Sequence, residues 1–198
     1  MKIAIAGLGV VGGGVIKTLQ QNALEIGQCS KQPVEIVAVA AKERGKKRDF
    51  DISQFQYFSD PLKLVETEAN IIVEVIGGEG GVALELARKT LAAKKHFVTA
   101  NKAMLAIHGG ELAELAEKNG VSLAYESAVA GGIPVIKTIR EGLTANKIKK
   151  VMKLVLLFII LNYFFCENFR QQKYFNSTTQ NHRFVVIRLS FIMFSVFC

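Results

Sequence analysis

MKIAIAGLGVVGGGVIKT, residues 1–18, opens on a short apolar run and passes at once into glycines. Residues 2–6 have the length and composition of a buried strand. Gly7-Leu8-Gly9-Val10-Val11-Gly12 follows as a G-x-G-x-x-G turn, and residues 10 to about 28 carry the spacing of the helix it opens. Each glycine has its own task in such a turn. Gly7 permits the sharp exit from the strand, Gly9 lets a pyrophosphate approach the backbone, and Gly12 lets the helix pack on the strand. Anions are favoured at a helix N-terminus by unpaired N–H groups and the positive end of the dipole. A turn of this kind directly between strand and helix points to a dinucleotide site. A turn serving structure alone is the plainer alternative.

Val11, Val15, Leu19 and Leu24 form the sheet-facing stripe of the first helix, and residues 27–32 form a polar loop. The strand at 34–40 (VEIVAVA) is apolar throughout, as an inner parallel strand should be. Its end decides which cofactor fits. An acid there bonds the 2′-hydroxyl of NAD, and a cation accommodates the 2′-phosphate of NADP. The residues present are Ala40-Ala41-Lys42-Glu43-Arg44, so Lys42 and Arg44 are candidate 2′-phosphate ligands, or simply a solvated basic turn. Residues 50–59 are extended. Asp60 and Pro61 start a helix as N-cap and first helical residue. Strands follow at 71–76, 96–99 and 121–125, with helices at 82–93, 111–118 and 133–141, and a small-residue loop at 126–132. Gly77 and Gly78, at the carboxyl end of the 71–76 strand, and Thr99, Asn101 and Lys102, at the end of the next, lie where open α/β sheets bind ligands. This alternation predicts a doubly wound parallel sheet of the Rossmann type over residues 1–150.

Composition narrows the function classes. The net charge of +8 is spread along the chain. Its densest basic run, residues 42–48 (KERGKKR), has no interleaved aromatics and is a solvated loop or small phosphate site, not a nucleic-acid surface. Cys29, Cys166 and Cys198 show neither metal spacing nor a disulfide framework. With a strand directly at the N-terminus in place of a secretory leader, the expectation is a cytoplasmic protein. His96, at a strand start, is assigned a structural role, and His108, at a helix start beside Gly109 and Gly110, that of a surface or capping residue.

Three segments in register resemble homoserine dehydrogenase: GLGVVGGGV at 7–15, VTANKA at 98–103 and YESAVAGGIPVIKTIREGL at 125–143, with VEVIGG at 73–78 in support. The resemblance implies an NAD(P)-dependent oxidoreductase that interconverts L-homoserine and L-aspartate 4-semialdehyde, on the route to threonine, methionine and isoleucine. It implies that residues 8–12 hold the pyrophosphate and ribose. Lys102 would lie near nicotinamide and substrate, where an ammonium can stabilise an alkoxide-like oxygen. It also implies a monovalent cation, such as sodium, at Glu126, Val129, Gly131 and Ile133. Partners implied are a small-molecule substrate and, in the family generally, a second copy of the chain.

The resemblance ends near residue 150. Residues 151–198 contain no Gly, Ala, Pro or Asp and hold nine of the thirteen phenylalanines. The family continues with a substrate domain whose acids for the amino group and second lysine lie within a D-L-x-G-x-D-x-x-x-K-like motif, which a stretch without Asp or Gly cannot contain. Three readings of this tail stand: an out-of-frame segment, poorly ordered and aggregation-prone; a membrane anchor, although the apolar run at 154–165 is about half the ~20 residues a spanning helix needs; or an unfamiliar small domain. The expected protein is therefore a truncated dehydrogenase that binds cofactor and turns over poorly. A non-catalytic dinucleotide-binding module and a membrane-tethered protein are its alternatives.

Overall fold

In β1 (Lys2–Ala6), isoleucines alternate with alanines and all but the first residue are buried. A strand without a polar face must be covered on both sides, and β1 is central to its sheet. It pairs in parallel with β2 (Glu35–Ala40) on one side and β4 (Ile71–Glu74) on the other. β3 (Gln56–Phe58), β5 (His96–Thr99) and β6 (Leu123–Ala124) complete a six-stranded sheet in the order β3-β2-β1-β4-β5-β6, with parallel pairings throughout. The computed structural model describes residues 1–130 and 135–143. The expected tail from residue 151 lies outside the described residues.

Helices cover both faces. α1 (Val10–Gln21) and α2 (Ala23–Ser30) place Val15, Ile16, Leu19 and Ile26 against Ile3, Ile5, Val39 and Val73. On the other face α3 (Gly81–Ala92), α4 (Lys102–Asn119) and a 3-10 turn (Pro61–Glu66) place Leu64, Leu86, Leu91, Met104 and Leu112 against Ala4, Ala6, Ile72 and Phe97. The β1–β2 ladder carries one irregularity: Ile3 aligns with Ile36 and Ala4 with Ala38, which leaves Val37 as an extra residue. This is the doubly wound Rossmann-type sheet expected from the strand–helix alternation. Among the described residues, no helix is long and apolar enough to cross a membrane.

Several element boundaries differ from expectation. The first helix breaks at Asn22, whose side-chain Nδ2 and backbone N–H both donate to the Thr18 carbonyl. That local bond offers the chain an alternative to straight continuation. α2 then runs through residues 27–30, expected as loop, and ends at Lys31 in the left-handed region. The extended stretch at 50–59 contributes a sixth strand, β3. Asp60 does cap, accepting from Leu62 N–H at 2.9 Å, but the element is a 3-10 turn. α4 starts nine residues before its expected position, at Lys102 instead of residue 111, and passes through Gly109 and Gly110. Each helical glycine costs about 1 kcal/mol. Buried Met104 before the pair, and Leu112 and Ala116 after it, hold the helix together. The 126–132 loop is partly helical, as α5 (Glu126–Ala130), and α6 (Val135–Lys137) runs into a π-helical turn, Thr138–Gly142.

Candidate active site at the carboxyl edge of the sheet

After β3 the chain returns across β1 to build β4, so the direction of winding reverses between β1 and β4. Loops leaving the two strands diverge at such a point and open a crevice. The glycine turn leaves β1 there, Gly77 and Gly78 leave β4, the basic loop leaves β2, and Thr99, Asn101 and Lys102 leave β5. Parallel pairing brings all of these to one edge of the sheet.

The turn has no room to spare on its inner side. Gly7 has φ +106°, and a Cβ there would sit 2.7 Å from the Val75 carbonyl oxygen. A Cβ on Gly12 would sit 1.9 Å from the Gly7 carbonyl oxygen, so the first turn of α1 lies directly on the strand exit. Gly9 is the opposite case: nothing lies within 4 Å of its Cβ position, and it is the N-cap of α1. No side chain caps that end and its first turn carries no acid, so its leading N–H groups and dipole are unneutralised. Leu8 is buried beneath the turn, while Val10 stands 89% exposed at its mouth. The cradle is open to solvent and faces the positive end of the α1 dipole.

The basic loop after β2 is folded around one side chain. The Arg48 guanidinium donates to the carbonyls of Glu43 at 2.6 Å and of Arg44 and Lys46 at 2.9 Å. Lys42 and Arg44 are exposed, and the Arg44 guanidinium lies 5.4 Å from the centroid of the Tyr57 ring. The Tyr57 hydroxyl donates to the Ala41 carbonyl at the strand end. The loop is fastened to α1 by an ion pair of Lys17 with Asp49, which holds the Asp49 carboxyl below its usual value, and by Phe50 seated on Gly13. Phe50 thus accounts for Gly13, since a Cβ there would sit 2.3 Å from its ring.

On the β4 and β5 side, Gly77 and Gly78 have φ of +82° and +93°. Thr99 and Asn101 are buried and their side chains bond within the protein: Thr99 Oγ1 donates to Glu74 at 2.5 Å, and Asn101 Nδ2 donates to the Gly78 carbonyl at 2.6 Å. Lys102, the first residue of α4, is exposed and forms no ion pair among the described residues. Glu74, fully buried, was absent from the expected site; the signal was a lone acid within the apolar IIVEVI run.

Glu126 and Val129 follow the carboxyl end of β6, on the same edge of the sheet. Glu126 is buried and accepts from Ile136 N–H at 2.9 Å, Val129 lies in α5, and Gly131 and Ile133 lie outside the described residues. Among the described residues, no cluster of three His, Cys, Asp or Glu could hold a metal. His108 sits within α4, not at a helix start, with Nδ1 3.7 Å from Glu111. His96 Nδ1 accepts from Ser122 N–H at 3.1 Å. A recess of about 650 Å³ opens at the opposite, amino edge of the sheet beside Met1, Asn70, Lys95 and His96. Lys95 there donates to the Thr67 carbonyl, and burial lowers its pKa.

A doubly wound parallel sheet with a tight glycine turn at its reversal point defines a Rossmann-type domain of the dinucleotide-binding class. Comparison with known proteins narrows this. A family model described as "Homoserine dehydrogenase, NAD binding domain" matches residues 7–126. The chain is 44% identical over 149 residues to the homoserine dehydrogenase of Pseudomonas aeruginosa, covering 75% of this chain and 34% of that protein. It is 41% identical over 156 residues to that of Neisseria gonorrhoeae, covering 78% and 35%. The crystal structure of a homoserine dehydrogenase from Thiobacillus denitrificans superposes with a TM-score of 0.67 at 39% identity, over 74% of this chain and 34% of that one. The chain belongs to the homoserine dehydrogenase family, in its NAD-binding domain. It spans about a third of the length of the curated relatives it matches.

Proposed function

We propose that this chain is the nicotinamide-dinucleotide-binding part of a homoserine dehydrogenase, which interconverts L-homoserine and L-aspartate 4-semialdehyde. The open, uncapped N-terminus of α1 over Gly9, closed beneath by Gly7 and Gly12, is the observation that carries this reading. Residues 8–12 hold the pyrophosphate and ribose through backbone N–H groups. Gly77 and Gly78 line the crevice from the β4 side, with Thr99 and Asn101 behind them. When bound, the nicotinamide supplies the hydride acceptor. Lys102 presents an ammonium near the reacting oxygen and stabilises the charge that grows there.

Lys42 and Arg44 select the cofactor. Both are exposed cations at the carboxyl end of β2, and Arg48 and Tyr57 hold the loop that carries them. No acid occupies the strand end to bond a 2′-hydroxyl, so the site accepts NADP, in preference to NAD or alongside it. A monovalent cation bound by the segment containing Glu126, Val129, Gly131 and Ile133 belongs to the same reading and rests on the family resemblance.

The 198-residue chain binds cofactor and turns over homoserine little or not at all, because residues 151–198 supply no Asp for the substrate's amino group. Titrating the purified chain with NADPH and NADH by nucleotide fluorescence, then following homoserine oxidation, tests both parts. Saturable NADPH binding without appreciable turnover is expected. Binding of neither nucleotide overturns the site, and turnover at an ordinary enzyme rate overturns the truncated-enzyme reading.

A further inference from the structure

Glu74 closes β4 with a carboxylate that is 0% exposed and has no Lys or Arg partner among the described residues. A charge so placed is costly unless every acceptor position is used well. Its Oε1 accepts from Ile76 N–H at 2.6 Å and Gly77 N–H at 3.0 Å, and its Oε2 accepts from the Thr99 hydroxyl at 2.5 Å. Thr99 Oγ1 in turn accepts from Asn101 N–H at 3.0 Å, and Asn101 Nδ2 donates to the Gly78 carbonyl at 2.6 Å. The bonds form a closed circuit through Glu74, Gly77, Gly78, Asn101 and Thr99. Asn101 Oδ1 also accepts from Met104 N–H at 3.1 Å, capping the helix whose first residue is Lys102.

We propose that Glu74 is a positioning residue for the nucleotide site, coupling the turn at Gly77 and Gly78 to the segment at Thr99 and Asn101 so that the two loops form one wall of the crevice. This deepens the dinucleotide reading above and rests on it. Two successive residues at positive φ are held by the circuit from both sides, N–H to Glu74 and carbonyl to Asn101. Thr99 and Asn101 serve the nucleotide through this framework, their side-chain bonds being made to protein. The start of α4, and with it Lys102, is set by the same bonds.

Thr99→Val, Thr99→Ser and Glu74→Gln test the coupling in the full chain. Thr99 makes no hydrogen bond to Ile76 or Gly77; the circuit links them through Glu74 on one side and through Asn101 and Gly78 on the other, and the double variant isolates the Glu74 arm. In the nucleotide-free chain, Thr99→Val should speed amide hydrogen exchange at residues 76 and 77 about tenfold, with the amides of β1 unchanged. Thr99→Ser, which keeps the hydroxyl, should restore wild-type exchange. Thr99→Val and Glu74→Gln should each weaken NADPH binding about three- to tenfold, and the double variant should lose no more than the worse single one. Unchanged exchange at 76 and 77 in Thr99→Val overturns the coupling, as does additive loss in the double variant. A wild-type chain that binds no NADPH overturns the site reading instead, and the exchange data then decide the coupling by themselves.

Discussion

Gly12→Ala and Gly9→Ala add the same methyl group to the same turn, with opposite demands on it. At Gly12 the methyl meets the Gly7 carbonyl oxygen at 1.9 Å, whereas ordinary contact begins at 3.4 Å, so roughly 1.5 Å must open between α1 and the strand exit. α1 cannot recede freely, because Val15, Ile16 and Leu19 are packed at 0–2% exposure. Overpacking at a backbone contact belongs at the upper end of the usual range, about 3 kcal/mol. For a chain of this size that lowers Tm by about 6–12 °C. At Gly9 nothing lies within 4 Å, and the φ of −80° suits any residue. Exchanging glycine for alanine at an N-cap costs about 0.5–1 kcal/mol, so Tm should fall by only about 1–4 °C. The Gly9 methyl occupies the space a phosphate needs, and losing one charge-assisted bond there weakens NADPH binding about tenfold or more. Circular-dichroism melts and NADPH fluorescence titrations separate the two effects. A Gly12→Ala chain melting within about 2 °C of wild type, or a Gly9→Ala chain binding NADPH as tightly as wild type, would refute the geometry argued for the turn.

Other expectations follow from the same structure. Replacing Lys42 and Arg44 together by alanine should weaken NADPH binding about tenfold while leaving NADH nearly unchanged, as charge-assisted bonds to the 2′-phosphate are lost; equal losses for both nucleotides would remove these residues from cofactor selection. Glu111 bonds the Arg88 guanidinium through both oxygens, which holds its carboxyl below the usual 4.5. Its folded value lies below its unfolded one, so its contribution is present above about pH 4.5 and is lost as pH falls through the folded value. Glu111→Gln should therefore flatten the acid limb of a Tm-against-pH curve, and an unaltered limb would show the pair to be inert. Phe97→Ala opens a cavity in the core beneath α3 and α4, at a residue 0% exposed. It should cost about 3–5 kcal/mol in a denaturant titration, and a much smaller loss would mean that the core there collapses readily.

The sheet was legible in the sequence because its inner strands are short apolar runs ending in glycine or small polar residues, as Ala6 before Gly7 and Ile76 before Gly77 illustrate. α4 was not, because Gly109 and Gly110 oppose helix locally and only burial of Met104, Leu112 and Ala116 outweighs them. β3 escaped because QYF is three residues long and half-exposed, a strand that owes its existence to the edge of β2. Around the crevice, the glycines could be read from their spacing, since backbone conformation restricts residue choice. Glu74, Arg48 and Phe50 could not, since their parts depend on carbonyls, amides and a glycine brought together from distant positions.

The irregular β1–β2 ladder bears on how a strand walled on both faces finds its alignment. Polarity cannot choose between two buried sides, yet a shift of one residue reverses every side chain. Here bulk makes the choice. Ile3, Ile5 and Val39 fill the side of α1, while Ala4, Ala6, Ala38 and Ala40 leave a shallow bed on the side of α3. If Val37 were instead paired with Ala4 in a regular ladder begun at Lys2 and Glu35, Ala38 would stand beside Ile5 and Val39 beside Ala6, and the bed would be lost. One inserted residue lets two neighbouring strands agree on which side is thick and which is thin.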